Sequence, residues 1–152
     1  MYEAKLKEMG IELPVVPKPV AAYIPAVRAG DFVYTAGQVP MVNGEVVYKG
    51  QIGKGPTVED GYAAAKICAI NCLSAVKSVI GSLDKIERIV KLTGFVNTEP
   101  GQGNQPRMIN GASEFLMEVF GEAGTHARSA VGVSDLPLDS LVEIEMVVKV
   151  RD

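Results

Sequence analysis

Apolar side chains recur at two different periods along this chain, and the switch between the periods sets out its elements. Val58, Tyr62, Ala65, Ala69, Leu73, Val76 and Ile80 follow one another at spacings of three and four, the period of one face of a helix. Thr57 with Asp60 resembles a capping box at the start of that helix, and Gly81 ends it. A second helix is predicted before Gly121, with Met108, Ala112, Phe115 or Leu116, and Val119 as its buried stripe. It follows a loop holding Pro100, Gly101, Gly103 and Pro106. Tyr2, Leu6 and Met9, closed by Gly10, predict a short amphipathic helix that packs on the domain as an N-terminal flap.

Elsewhere the period is two. Residues 20–27 and 31–36 read as extended, split by Ala29-Gly30-Asp31, which is a hairpin signal. A third short strand over residues 45–48 follows the turn Asn43-Gly44, so the N-terminal third reads as a meander. Residues 86–97 are rich in Val and Ile, and two strands close the chain over 127–133 and 141–150. In the last of these, Val142, Ile144, Met146, Val148 and Val150 share one face, as a strand packed under helices requires. Leu141, Glu143, Glu145, Val147 and Lys149 take the other. Apolar Leu141 and Val147 beside carboxylates point to a surface that meets another subunit. The order of elements predicts an α+β domain with both helices on one face of a mixed sheet.

Composition narrows the function classes. The chain of 152 residues shows no shift that would mark a second domain, so residues 1–152 read as one unit with 1–14 as an N-terminal extension. Its net charge is −3, and its 15 basic side chains are scattered. Nucleic-acid binding draws on clustered Lys and Arg, so no nucleic-acid partner is expected. No signal peptide and no apolar run of membrane-spanning length is legible, which predicts a cytoplasmic protein without a membrane partner. Cys68 and Cys72 lie four apart in the long helix, and His126 is the one histidine. Two thiols in a helix read as core residues, and no metal is assigned. No Gly-rich run opens either helix, which disfavours nucleotide chemistry.

One segment stands out for candidate chemistry, from Thr125 to Val148. Arg128 heads one strand, and Glu143 lies on the next. Read as antiparallel neighbours joined by a loop, these strands bring the two side chains within reach of one ligand. A guanidinium presents a rigid fork to a carboxylate, and an opposing Glu can hold or deprotonate a water. An ordinary cross-strand ion pair, worth about 0–1 kcal/mol if exposed, meets the same spacing more simply.

Several motifs together carry a resemblance. Ala127-Arg128-Ser129, then Leu136-Pro137, then Val142-Glu143-Ile144-Glu145 resembles the C-terminal signature of the YjgF/RidA family, also called endoribonuclease L-PSP-like, with the same separation between Arg and Glu. Tyr23 and Thr35-Ala36-Gly37-Gln38-Val39-Pro40 are similar to the family's upstream Tyr and its Gly-Gln motif, and Asn110 matches a pocket Asn. The resemblance covers residues 20–150. It implies a chorismate-mutase-like fold, a homotrimer with pockets between subunits, and cofactor-free hydrolysis of 2-imino or enamine acids to 2-keto acids and ammonia. It also implies that Arg128 binds the substrate carboxylate and Glu143 holds the attacking water. Tyr23 and Asn110 would line the pocket, with backbone hydrogen bonds from around Gly37 and Ala127.

Two positions depart from many members: His126 stands where they have Pro, and Ala130 where they have Cys. The N-terminal extension and the loop 98–106 resemble a longer subgroup. His126, at the pocket rim, is open to acid-base or structural use. Tyr23 fits pocket or core, and Asn110 could instead bond backbone. A module that binds a small carboxylate without turnover is the alternative reading. A ribonuclease, suggested by the family's other name, is disfavoured by the acidic balance.

Overall fold

A computed structural model describes residues 1–16 and 22–152. Along the chain lie α1 (Tyr2–Glu8), the hairpin β1 (Ala26–Ala29) and β2 (Phe32–Thr35), the ribbon β3 (Met41–Val42) and β4 (Glu45–Val46), and α2 (Val58–Ile80). Then come β5 (Ile86–Asn97), α3 (Gln105–Phe120), β6 (Ala127–Val133) and β7 (Val142–Val150). The extended segment expected over residues 20–27 begins partly outside the described residues, and its strand starts at Ala26.

The main sheet has the order β1-β2-β7-β5-β6. Every neighbouring pair is antiparallel except β5 and β6, which run parallel. Parallel strands cannot be joined by a tight turn, and here α3 makes the crossover. That βαβ unit sets β6 on the outer edge of β5 and leaves the inner edge to β7. The expected antiparallel contact between β6 and β7 is therefore absent: β5 lies between them.

The ribbon is a second departure. β3 and β4 pair only with each other, so residues 45–48 do not extend a meander of the main sheet. Pro40, which has no N–H to donate, precedes the ribbon, and the tight Asn43-Gly44 turn leaves two residues on each side to pair.

Packing follows the period-two pattern of β7. Val142, Ile144, Met146, Val148 and Val150 are each at most 2% exposed, under the helices. Burial of each such side chain contributes roughly 1.5–3 kcal/mol. Leu141, expected on the outer face, is instead fully buried. Its N–H donates to the Tyr48 carbonyl and its own carbonyl accepts from Asn97, so the alternation starts one residue later. The face of the sheet opposite the helices stays open, with Phe32, Tyr34 and Val131 exposed there.

Both long helices pack on one face, as expected. Thr57 and Asp60 form the full capping box of α2, and Gly81 (φ 85) ends it. Cys68 and Cys72 are completely buried, their Sγ atoms 3.6 and 3.3 Å from the carbonyl oxygens of Val142 and Ile144. Burial pushes the Cys68 thiol well up and the Cys72 thiol up to about 12, so both are small core residues rather than reactive thiolates. By length and composition α2 could cross a membrane, but its apolar side chains fill this core. α1 docks beside α3, its Tyr2 ring 4.5 Å from that of Phe120. Asp84 Oδ1 accepts from the Tyr2 and Glu3 amides and so caps α1.

α2 and α3 approach closely where glycine permits it. A Cβ on Gly111 would overlap the backbone carbonyl of Tyr62, which cannot move aside without shifting α2. Gly111→Ala is expected to lose about 1–3 kcal/mol in urea unfolding, although Ala is favoured over Gly in a helix by up to about 1 kcal/mol. Unchanged or higher stability would show that the helix contact is looser than described.

Candidate functional site

Arg128 is the second residue of the edge strand β6 and pairs with Leu92 of β5. Leu92 is fully buried against the helices, so Arg128 points to the helix side of the sheet. There its Nη1 donates to Asn110 Oδ1 at 2.8 Å and to Ser113 Oγ at 3.1 Å. Asn110 and Ser113 lie three residues apart on α3 and therefore on the same face of it. Asn110 thus bonds the guanidinium and not backbone.

The guanidinium is partly buried, yet both of its partners are neutral. The ion pairs among the described residues are Arg28 with Asp152, Lys77 with Glu3, and Lys149 with Glu87. Arg128 has no carboxylate there. Its Nε and Nη2 hydrogens, the edge that would meet a carboxylate at two points, have no acceptor among the described residues. Such an arrangement is chemically suited to an anion, because a cation withdrawn from water gains most from an incoming negative charge.

Behind Arg128, Ser113 Oγ lies 2.9 Å from His126 Nε2, and His126 Nδ1 lies 2.7 Å from the Gly124 carbonyl oxygen. Burial and then the Arg128 charge hold the His126 imidazole below its ordinary value, against the opposing pull of the Gly124 bond. Ser113, itself buried, was not singled out in the sequence. The legible signal was its position one turn after Asn110, inside an otherwise apolar stripe.

Glu143 stands elsewhere. It pairs with Phe95, three residues along β5 from Leu92, and so faces the open side of the sheet, opposite to Arg128. The reach of both groups to one ligand, expected from strand order, does not occur within one chain. Glu143 is half-buried and forms no ion pair among the described residues. Burial and then the neighbouring Glu145 raise its carboxyl above the ordinary value. Gly37 lies directly over it: a Cβ there would sit 2.5 Å from Glu143 Oε2, so glycine is what lets this segment cross the carboxylate. The segment is held by paired bonds between Gln38 and Ile144 at 2.8 and 2.9 Å.

Tyr23 is 63% exposed, just ahead of Pro25, whose carbonyl accepts from the Ala36 amide at 2.7 Å. Of its two readings, core is excluded. Ala127 is exposed at the start of β6. The residues therefore fall into two groups, Arg128, Asn110, His126 and Ala127 at the α3 edge, and Glu143, Gly37 and Tyr23 toward the open face and its rim. A hollow of about 260 Å³ between the first turns of α2 and α3 borders Asn110, lined also by Val58, Glu59, Tyr62, Arg107 and Glu114. Among the described residues, no three His, Cys, Asp or Glu side chains are placed to hold a metal ion.

Comparison with known proteins bears on this arrangement. Residues 3–150 match the family described as "YjgF/chorismate_mutase-like, putative endoribonuclease". Protein TCP17 of Trypanosoma cruzi is 39% identical, over 98% of this chain and 94% of its own. The 2-iminobutanoate/2-iminopropanoate deaminase of Dermatophagoides farinae is 30% identical, over 93% and 95%. Among solved structures, Atu1372 of Agrobacterium tumefaciens, a protein of unknown function, superposes with a TM-score of 0.92 at 41% identity, over 99% of this chain and 92% of that one. TdcF of E. coli with bound serine gives 0.63 at 26% identity, over 90% and 93%. With the α+β sheet, its two covering helices and the arginine on the edge strand already described, the chain belongs to the YjgF/RidA family.

Proposed function

We propose that the protein is a deaminase that hydrolyses small 2-imino or enamine acids to 2-keto acids and ammonia. The observation that carries this reading is the fork of Arg128, without a carboxylate among the described residues and held in place by two neutral partners. The relative named as an imino acid deaminase supports the reaction class, and the serine in the TdcF structure supports a small organic acid as the kind of ligand. Arg128 clamps the substrate carboxylate and Asn110 fixes the clamp.

The imine carbon is already electrophilic, so a positioned water suffices and no cofactor takes part. Glu143 accepts a proton from that water as its oxygen bonds to the imine carbon. The C=N π pair moves to nitrogen, which takes that proton from Glu143 to give a carbinolamine. Glu143 then carries the hydroxyl proton to the amino nitrogen as an oxygen lone pair forms C=O, the C–N bond breaks and ammonia leaves. Because Glu143 and Arg128 lie on opposite faces of one sheet, they meet only if a second copy supplies one of them. A homotrimer with pockets between subunits satisfies this requirement, with Tyr23, Gly37 and Ala127 at the rim. We assign its action to the cytoplasm, removing reactive intermediates. The same geometry favours a second reading, a carboxylate-binding module without turnover, since one chain alone presents an anion site without a base.

With 2-aminoacrylate generated by a dehydratase, the wild type is expected to accelerate keto-acid release. Arg128→Ala should lose on the order of 100-fold or more in kcat/KM, from two charge-assisted hydrogen bonds. Full activity in Arg128→Ala, or no acceleration by the wild type, contradicts the deaminase, and calorimetric binding of a 2-keto acid without turnover would favour the module. A second outcome concerns stability. The fold disfavours ionised Glu143, so its cost is fully present above the raised value and vanishes below the unfolded one. Glu143→Gln is expected to raise Tm at about pH 8, with the gain fading toward about pH 4. A lower Tm at the higher pH would show that the charge is stabilising.

A further inference from the structure

The groups behind Arg128 form a chain of hydrogen bonds whose direction is fixed at both ends. Arginine can only donate, so its Nη1 hydrogen points at Ser113 Oγ, 3.1 Å away. The Gly124 carbonyl can only accept, so His126 Nδ1, 2.7 Å away, carries a hydrogen. A neutral imidazole protonated on Nδ1 has a bare Nε2. The Ser113 hydroxyl must then donate to it across 2.9 Å. All three bonds run one way, from guanidinium through hydroxyl to imidazole to carbonyl.

A proton on Nε2 would reverse the middle link. Ser113 Oγ would then have to accept from Arg128 and from His126 together, and two cations would stand on either side of one hydroxyl. Other charges near the imidazole do not offset this. Along the chain into β6 the charged neighbour is Arg128; from β5, Arg88 bonds the adjacent Thr125; from α3 the facing group is neutral Ser113. Glu122, in the turn before, contributes its backbone carbonyl to Thr125. An anion bound at Arg128 would supply the missing negative charge.

We propose that Ser113 and His126 are positioning residues for the anion site, forming a relay through which an organic carboxylate on Arg128 and a proton on His126 favour one another. This rests on the reading of Arg128 as the carboxylate clamp. By linkage the effect is reciprocal: the carboxylate binds more tightly as pH falls through the His126 titration, and the bound carboxylate moves that titration upward. The orientation of the clamp is set by the relay, while the substrate carboxylate meets Arg128 and not Ser113 or His126.

The chain's single histidine makes the test direct. Nitrogen-detected NMR of the imidazole, from about pH 4.5 to 8 with and without saturating pyruvate at constant ionic strength, reads His126 alone. The free protein is expected to show the Nδ1–H form. Pyruvate should raise the midpoint by about half a pH unit or more, equivalent to about threefold tighter binding at low pH. Ser113→Ala should still bind pyruvate by calorimetry but lose most of that shift.

The relay is overturned, with the clamp intact, if pyruvate binding depends on Arg128 yet the midpoint does not move, or moves equally in Ser113→Ala. An Nε2–H form in the free protein also overturns it. Pyruvate that fails to bind, or binds Arg128→Ala as well as wild type, overturns the clamp and the relay together.

Discussion

A guanidinium partly withdrawn from water with no counter-charge among the described residues is the constraint on which the candidate site depends. Burying a charge is costly unless polar groups replace its lost water. Here Asn110 and Ser113 satisfy one nitrogen of Arg128 and leave the opposite edge without an acceptor among the described residues. The arrangement needs a strand to carry the arginine and a helix to carry both acceptors at a spacing of three. The β5-α3-β6 crossover provides both, and the parallel pairing of Leu92 with Arg128 fixes which way the side chain points.

The rest of the molecule holds that crossover still. α3 is pinned to α2 by backbone contact at Gly111 and by Met108 against Gly61, and to β5 by Ile109 against Gly94. β7, with its apolar side chains under the helices, occupies the inner edge of β5 and so consigns Glu143 to the other face. The same choice of strand order places Arg128 against α3 and separates it from the candidate base. A site divided in this way invites a second copy, and the open face that carries Glu143 also carries exposed Phe32, Tyr34 and Val131.

Much of this was legible in the sequence because it is local. The period of α2, its capping box, the limits of β5 and β6 and the inward face of β7 all follow from neighbours a few residues apart. Strand adjacency is not local, and reading β6 and β7 as partners failed because the crossover through α3 decides it. Leu141 was misplaced by one step of alternation, since the strand begins at Val142. Arg128, Glu143 and Asn110 were found through a motif, whereas Ser113 was not, because a serine inside a helical stripe carries no signal until its partners are known.

The most direct measurement is a crystal structure of the protein with 2-ketobutyrate. The account requires the ligand carboxylate on Nε and Nη2 of Arg128, with Nη1 still bonded to Asn110 and Ser113, and Glu143 of a neighbouring copy near the keto carbon. A ligand seated away from Arg128, or that guanidinium already occupied by a protein carboxylate in the assembly, would contradict it.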